Sequence, residues 1–204
     1  YPNMVTYVIS LKSCGFIGAL VLGQELHVEV AKIGLENELL ISTSLVDFYA
    51  KVGALLEAQE VFDGLREQNV VSWSALLTGY VEHGFCQEAL IFLQEMQQSG
   101  VSPNAIVYVC ALKACCSIPD IQQGKLIHSY AIKHGVESDL SVRSALIDMY
   151  TKSGSLGDAQ MVFYKLGIQD IVTWSAMIAG YVQHECFEEA LKVFDLMQLD
   201  GMGP

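Results

Sequence analysis

Histidines are the residues of this chain whose side chains could bind a metal or act as a general base. Four of the five recur at one spacing, because His27 and His128, like His83 and His184, are 101 positions apart. A single catalytic centre would not recur in this way. The segment HEC at 184–186 is not the H-x-E motif of a zinc deaminase, and no P-C-x-x-C motif follows it. We therefore expect no enzyme activity, no metal site and no cofactor in this stretch of sequence.

The six cysteines could form disulfides or metal sites, but their spacing indicates neither. None follows a C-x-x-C pattern, and Cys115 and Cys116 are direct neighbours, which rarely pair with each other. This pattern predicts reduced thiols in a reducing compartment.

Composition narrows the class of protein. The chain of 204 residues is 52% hydrophobic, with a mean hydropathy of +0.37, yet no apolar run reaches membrane-spanning length. The evenly spread apolar residues predict a large core and no membrane segment. The net charge of −12 disfavours a simple basic nucleic-acid binder. The opening residues YPNMVTYV indicate a piece of a longer protein, with no signal or transit peptide.

Whole segments recur at the same spacing as the histidines. Three pairs of segments are each offset by 101 residues: VTYVISLKSC at 5–14 with IVYVCALKAC at 106–115, TSLVDFYAKVGALLEAQEVF at 43–62 with SALIDMYTKSGSLGDAQMVF at 144–163, and SALLTGYVEHG at 74–84 with SAMIAGYVQHE at 175–185. The chain therefore contains a unit of 101 residues almost twice.

Each large unit divides into three helix pairs, of which 70–104 is the clearest. Its apolar residues follow a period of about 3.6 in two runs, which Gly84 separates and Gly100 and Pro103 end. The two predicted buried faces are Trp73, Leu76, Leu77 and Tyr80, and then Ala89, Leu90, Phe92, Leu93 and Met96. The same pattern predicts repeats at 4–38, 39–69, 70–104, 105–139, 140–170 and 171–204, the last of them truncated.

A single helix pair cannot bury its apolar face, whereas stacked pairs cover one another. The sequence therefore predicts an all-α fold, a right-handed superhelical solenoid of six helix–turn–helix hairpins. The first helix of each pair is expected to line the concave side. No low-complexity linker interrupts the chain, so we expect a single domain over residues 1–204.

The repeats resemble the PLS class of pentatricopeptide repeat proteins over essentially the whole chain. The long variant is similar to ALKAC…QGKLIHSYAIKHGVESD at 111–139, the short one to SALIDMYTKSGSLGDAQMVF at 144–163, and the ordinary one to VSWSALLTGYVEHG…EALIFLQEMQQSGVSPN at 71–104. Tetratricopeptide repeats share the hairpin but keep a uniform period of 34 residues, unlike the mixed lengths of 35 and 31 here.

The resemblance implies sequence-specific binding of single-stranded RNA in plant organelles, for editing, splicing or other processing. One repeat meets one base, read by the fifth residue of the first helix and the last residue of the repeat. Carried onto this chain, the base-reading residues are Val8 with Glu38, Thr43 with Asn69, Ser74 with Asn104, Val109 with Asp139, Ser144 with Asp170, and Ser175.

The last residue of each repeat has a chemical basis for its preference. An ionised Asp only accepts hydrogen bonds, which suits guanine N1–H, whereas an Asn amide can also donate to adenine N1. A hydroxyl at the fifth position goes with purines in this family, and valine there cannot read a base. The resulting RNA sequence is N-A-A-N-G-purine, 5′ to 3′. For any one of these polar residues the alternative is a helix cap or an exposed turn.

Two further sets of residues follow from the resemblance. The second residue of each repeat packs against base faces, although each could equally be a core residue. A lysine at the thirteenth position contacts phosphate, although a lone lysine is commonly a solvated surface residue. The second residues are Val5, Leu40, Val71, Ile106, Ser141 and Val172, of which the serine departs from the apolar pattern, and the lysines are Lys51 and Lys152.

Three functional interpretations remain at this stage, of which an enzyme is the least favoured. The first is an RNA-binding array in a mitochondrion or chloroplast, with other organellar RNA-processing proteins as partners and a deaminase domain that related proteins often carry beyond the repeats. The second is a helical scaffold for protein–protein interaction or self-association, which the acidity and the apolar surface would suit. An arrangement of fifth and last residues along one groove, with the second residues between them, would favour the first interpretation.

Overall fold

The computed structural model describes residues 2–118, 120–165 and 170–201, and over these residues the chain is helical without any β-strand. The helices are α1 (Met4–Ile17), α2 (Leu20–Lys32), α3 (Leu39–Lys51), α4 (Leu55–Asp63), α5 (Val70–Glu82), α6 (Cys86–Gln98), α7 (Ala105–Ser117), α8 (Ile121–Lys133), α9 (Leu140–Lys152), α10 (Leu156–Lys165), α11 (Ile171–Gln183) and α12 (Phe187–Leu199). None of these helices has the length and apolar character needed to cross a membrane.

The odd-numbered helices open the hairpins. They begin at residues 4, 39, 70, 105, 140 and 171, which are also the first residues of the six proposed repeats. The long, short and ordinary classes of these spans stay a prediction. The described residues cluster into two compact units, Tyr1–Pro103 and Asn104–Pro204, so the single domain expected from sequence also stays a prediction. Each unit is described by itself below.

The periodicity that predicted α5 and α6 also predicted their buried faces. All nine apolar residues that the period of about 3.6 assigned to these two helices are buried. The turn between the helices contains Gly84 at φ +84°, a left-handed conformation that glycine adopts without a steric cost. The corresponding residue of the second unit is Glu185, which takes the same left-handed region at φ 59°. The turn geometry is therefore retained even where the glycine is not.

The recurring histidines join neighbouring hairpins. The ring Nδ1 of His27 lies 2.9 Å from the Tyr49 hydroxyl, and that of His128 lies 2.8 Å from the Tyr150 hydroxyl. Burial, followed by the charges of nearby carboxylates, raises the pKa of Tyr150 to about 12, so its hydroxyl stays protonated and can donate to the ring. His83 and His184 contact main-chain carbonyls of the preceding hairpin. The histidines thus have a structural role in both units.

An ion pair in the second unit adds to the contact between His128 and Tyr150. The Lys165 ammonium lies 2.9 and 3.0 Å from the two carboxylate oxygens of Glu137, and Oε1 of this carboxylate is 3.2 Å from Nε2 of His128. Burial is the largest single influence on the pKa of Glu137 and would raise it, but the hydrogen bonds and charges of Lys165 and His128 together lower it. Helix α10 is therefore tied to the segment that follows α8.

The first unit lacks the lysine of this ion pair. Residue 64, 101 positions before Lys165, is a glycine, and a cavity of about 150 Å³ is lined there by His27, Glu36 and Gly64, among others. Gly64 has φ −76° and ψ −7°, a conformation open to any residue. Its absent side chain is the difference between the two units at this position.

We expect Gly64→Lys to increase the free energy of unfolding by about 0.5–1 kcal/mol. The side chain reduces the entropy of the unfolded chain, and its ammonium can reach Glu36. Urea unfolding followed by circular dichroism measures the change. Gly64→Ala is the control for the backbone effect. If Gly64→Lys is no more stable than Gly64→Ala, the ion pair does not form.

Candidate nucleic-acid interface

The opening helices of the hairpins form a continuous layer in each unit. Helix α3 packs between α1 and α5, and α9 packs between α7 and α11. Over the described residues, no Cα atoms of α2, α4 and α6, or of α8, α10 and α12, come within 8 Å of one another, although the Lys125 ammonium of α8 lies 2.9 Å from the Asp158 carboxylate of α10. The opening helices are thus the closely packed side of each unit, which brings their second and fifth residues near those of the next hairpin.

An open groove of about 650 Å³ runs along this layer in the second unit. Six residues assigned to RNA contact from the sequence line it together, and they come from three successive opening helices and the cap of α11. They are the fifth residues Val109, Ser144 and Ser175, the second residues Ser141 and Val172, and the last residue Asp170. The groove thus brings together fifth and second residues of successive repeats with one last residue, Asp170, while their contact with RNA stays a prediction.

The second residues lie on the surface in both units. The five apolar ones have exposed fractions between 49% and 57%, so they are not core residues. They are Val5, Leu40, Val71, Ile106 and Val172. Within each unit, exposed apolar side chains at this register position are available to pack against a flat apolar ligand. Ser141 is also exposed, but its hydroxyl donates a hydrogen bond to Oδ1 of Asp139.

The fifth residues vary in exposure. Val8 and Ser74 are buried, Thr43, Val109 and Ser144 are half-buried, and Ser175 is exposed. The hydroxyls of Ser144 and Ser175 donate to the main-chain carbonyls four residues earlier, at 2.9 and 2.6 Å. Since the hydroxyl proton is engaged within the helix, the remaining lone pairs present an acceptor. Burial makes Ser74 the least accessible hydroxyl of the set.

The last residues are the N-caps of the following opening helices. Oδ1 of Asn69 accepts from the N–H groups of Val71 and Ser72 at 2.9 and 3.1 Å, and Oδ1 of Asn104 accepts from the N–H of Val107 at 3.0 Å. The helix-cap interpretation is therefore correct for these residues. It does not exclude base reading by Asn69, because the capping hydrogen bonds of this residue use the Oδ1 end of the side chain.

The two aspartates of the set cap their helices in the same way. Oδ1 of Asp139 accepts from the N–H groups of Ser141 and Val142, and Oδ1 of Asp170 accepts from the N–H of Thr173 at 2.8 Å. Glu38 also stands at an N-cap, but its side chain makes no capping hydrogen bond. The aspartates, unlike Glu38, are therefore held in a defined orientation.

Both aspartates are held in the ionised form. The Ser141 hydroxyl is the main cause that lowers the pKa of Asp139, against a smaller opposing effect of burial. Burial is the largest single influence on the pKa of Asp170 and would raise it, but the hydrogen bonds from Thr173 and the charge of Arg143 together lower it. A carboxylate with a lowered pKa remains an acceptor near neutral pH.

The two lysines assigned to phosphate contact are paired with carboxylates. The ammonium of Lys51 lies 2.7 Å from Asp47, and that of Lys152 lies 2.8 Å from Asp148, each pair spanning one helical turn. Lys51 also lies over the ring of Phe16 at 4.7 Å. Their contact with phosphate stays a prediction, and the neighbouring aspartates reduce the net charge that each position offers.

Two residues of this surface were missed at the level of sequence. Lys113 lines the groove of the second unit, and its recurrence 101 positions after Lys12 could have revealed it. Asn3 caps α1 as Asn104 caps α7, with Oδ1 accepting from the N–H of Thr6 at 2.9 Å, and the same offset relates the two. The described part of the chain contains no cluster of three or more metal-ligating side chains.

Sequence models of a known repeat family match several segments of this chain. The model of the PPR repeat family matches residues 68–117, and the model of the PPR repeat matches residues 41–70, 142–167 and 172–202. The chain belongs to the pentatricopeptide repeat family. These matches, together with the helices described above, confirm the family and the all-α class of helix–turn–helix repeats that the sequence predicted.

Relatives of known sequence extend the similarity over the whole chain. The pentatricopeptide repeat-containing protein At2g33680 of Arabidopsis thaliana is 40% identical over 203 residues, covering 100% of this chain and 28% of the relative. The chloroplastic protein At4g18520 of the same plant is 41% identical over 199 residues, covering 98% of this chain and 32% of the relative. The chain thus spans about a third of the length of these pentatricopeptide repeat proteins.

A solved structure shows the same fold. The pentatricopeptide repeat protein PPR10, in complex with an 18-nucleotide psaJ RNA element, superposes with a TM-score of 0.66 at 20% identity. The superposition covers 100% of this chain and 36% of PPR10.

Proposed function

We propose that this pentatricopeptide repeat array binds single-stranded RNA along the layer of opening helices, with one base to each repeat. The observation that carries the proposal is the groove of the second unit, which gathers fifth and second residues of successive repeats together with the last residue Asp170. The complex of PPR10 with RNA supports the choice of ligand.

The exposed side chains support different roles for the second and last residues of each repeat. The exposed apolar second residues pack against base faces, which holds any base without selecting among them. The polar last residues meet the base edge, where donor and acceptor patterns differ between bases. In this scheme repeat 39–69 reads adenine through Asn69, and repeat 140–170 reads guanine through Asp170.

Electrostatics should contribute little to the affinity. The net charge is −12, and the lysines Lys51 and Lys152 are already paired with aspartates. Few counterions would therefore be released on binding, and the dependence of affinity on salt should be shallow for a nucleic-acid binder. Base packing and edge contacts would supply most of the binding free energy.

The wider role of the chain is inferred from its pentatricopeptide repeat relatives. We place it in the PLS class, as the sequence-reading part of an organellar protein that positions a transcript for editing or other processing. Relatives named as chloroplastic support an organelle, chloroplast or mitochondrion. The chain itself is proposed to read RNA without catalysing its processing.

The test is equilibrium binding to a panel of short single-stranded RNAs at low salt. We expect the tightest binding to RNA containing N-A-A-N-G-purine, weaker binding when the second base becomes G or the fifth becomes A, and no change when the fourth is varied. Single-stranded DNA of the same sequence is the comparison for the sugar. Equal binding of every RNA in the panel would contradict one-base reading.

A protein-binding scaffold is the second candidate. The observation that favours it is the apolar surface of the second helices, where Leu56, Ile91 and Met161 are exposed. If no RNA of the panel binds, while the chain self-associates in sedimentation at the same concentration, the scaffold becomes the better description.

A further inference from the structure

Two lysines of the opening helices differ from the lysines that the sequence assigned to phosphate contact. Lys113 of α7 lines the groove of the second unit, and Lys12 of α1 stands 101 residues earlier. Each is the ninth residue of its helix, and each is exposed. Over the residues that the structure describes, neither ammonium is paired with a carboxylate, whereas those of Lys51 and Lys152 are. The ninth-position lysines are therefore available to a ligand.

The ninth residues of the next opening helices are aspartates. Asp47 of α3 lies 2.7 Å from the ammonium of Lys51, one helical turn further on. Asp148 of α9 lies 2.8 Å from the ammonium of Lys152 in the same way. Because Asp148 lines the groove, its carboxylate without a cation would repel a polyanion. The thirteenth-position lysines thus have a local role, which is to neutralise these aspartates.

The surroundings of Lys113 suit a contact with the RNA backbone. Val109 lies one helical turn before this lysine and lines the same groove. A valine cannot hydrogen-bond to a base edge, so the fifth position of this repeat offers no base reading. A lysine carries a compact charge on a flexible chain, which can meet a phosphate beside any base. The same combination recurs in α1 as Val8 and Lys12.

We propose that the repeats with a valine at the fifth position, 4–38 and 105–139, hold the RNA backbone through Lys12 and Lys113 and read no base. This inference rests on the proposed RNA-binding function. It assigns the phosphate contacts to the ninth residue of these two repeats, and not to Lys51 and Lys152. Each unit then contributes one phosphate contact, which agrees with a shallow dependence of affinity on salt.

The experiment measures the affinity for a single-stranded RNA containing N-A-A-N-G-purine over a series of salt concentrations. On a single strand each phosphate contact adds about −0.7 to the slope of log affinity against log salt, so two contacts predict about −1.4. Lys113→Gln should bring the slope to about −0.7 and lower the affinity at low salt about tenfold. Lys12→Gln should have the same effect, and the two changes together should bring the slope close to zero.

Lys133→Gln is the matched control. It changes the net charge by the same amount and lies on the second helix of the same hairpin, where the lysine is also exposed. It should leave the slope and the affinity unchanged. A second probe is RNA in which one phosphate beside the fourth nucleotide is an uncharged methylphosphonate. One of the two such RNAs should bind the unmodified protein more weakly than the parent RNA, and Lys113→Gln should bind both equally.

Four results would overturn the inference. The first is a slope for Lys113→Gln equal to that of Lys133→Gln. The second is a loss of slope in the variant with Asp148→Asn and Lys152→Gln together, which keeps the net charge and would return the contact to the thirteenth position. The third is a base preference at the fourth nucleotide that Lys113→Gln removes, because the lysine would then read a base edge. The fourth is no binding of any RNA by the unmodified protein, which alone would also defeat the proposed function. Thermal melting of every variant verifies that the helices are intact.

Discussion

Asn69→Asp should reverse the base preference of repeat 39–69 from adenine to guanine. The cap would remain, because Asp139 and Asp170 cap α9 and α11 through the same Oδ1 contacts. The atom facing the base would change from the donor Nδ2 to the acceptor Oδ2, which can accept from guanine N1–H but opposes the lone pair of adenine N1. We expect the A-over-G affinity ratio to change by about tenfold or more, as one satisfied hydrogen bond replaces one buried mismatch.

The measurement is competition between two RNAs that differ only at that base, at low and fixed ionic strength. Asp170→Asn is the matched reciprocal variant, and it should move repeat 140–170 from guanine toward adenine without affecting repeat 39–69. A variant Asn69→Asp that binds RNA and still prefers adenine would show that the repeat register, or the assignment of reading residues, is incorrect. If only Asp170→Asn fails to change the base preference of its repeat, that conclusion applies to the second unit alone.

Gly79→Ala should cause the largest loss of stability for the smallest chemical change. A Cβ added at Gly79 would lie 2.6 Å from Cβ of Ala50 and 3.0 Å from its Cα and carbonyl oxygen. Two of these three atoms are main chain, so α3 and α5 would have to separate. Overpacking of this kind lowers the free energy of unfolding by about 1–3 kcal/mol. In the second unit an added Cβ at Gly180 would instead meet side-chain atoms of Thr151.

Urea unfolding of Gly79→Ala beside Gly64→Ala tests this prediction. An added Cβ at Gly64 would meet nothing closer than 3.5 Å, so that control should equal or slightly exceed the stability of the unmodified protein. The separation of α3 from α5 should also weaken RNA binding, since these neighbouring helices carry the second residues Leu40 and Val71. Unchanged stability of Gly79→Ala would mean that the opening helices can shift apart at little cost.

Part of the interface could be predicted from the sequence alone, and part of it could not. The register of the last residues could be predicted because a polar residue before an apolar run is a helix-start signal wherever it occurs. The pairing of Lys51 with Asp47 could also have been predicted from its spacing of four residues. The exposure of Val71 could not, because an apolar residue at a helix start satisfies the pattern of a core residue equally well. The contact of the Ser72 hydroxyl with the main chain of Asn69 was hidden for a related reason, since a serine near a helix start has many possible partners.

The sequence by itself determined the secondary structure and the kinship of this protein. Periodicity of 3.6 residues, turn glycines and the offset of 101 residues specify where helices begin and which local faces are apolar, since these are properties of neighbouring positions along the chain. Only the tertiary structure decided which apolar residues are covered and which remain exposed. It alone showed that Val172, Ser144 and Asp170 line one groove. The burial and orientation of a side chain depend on residues of other helices. The distance of closest approach between two helices, as at Gly79 and Ala50, likewise cannot be deduced from the sequence of either helix alone.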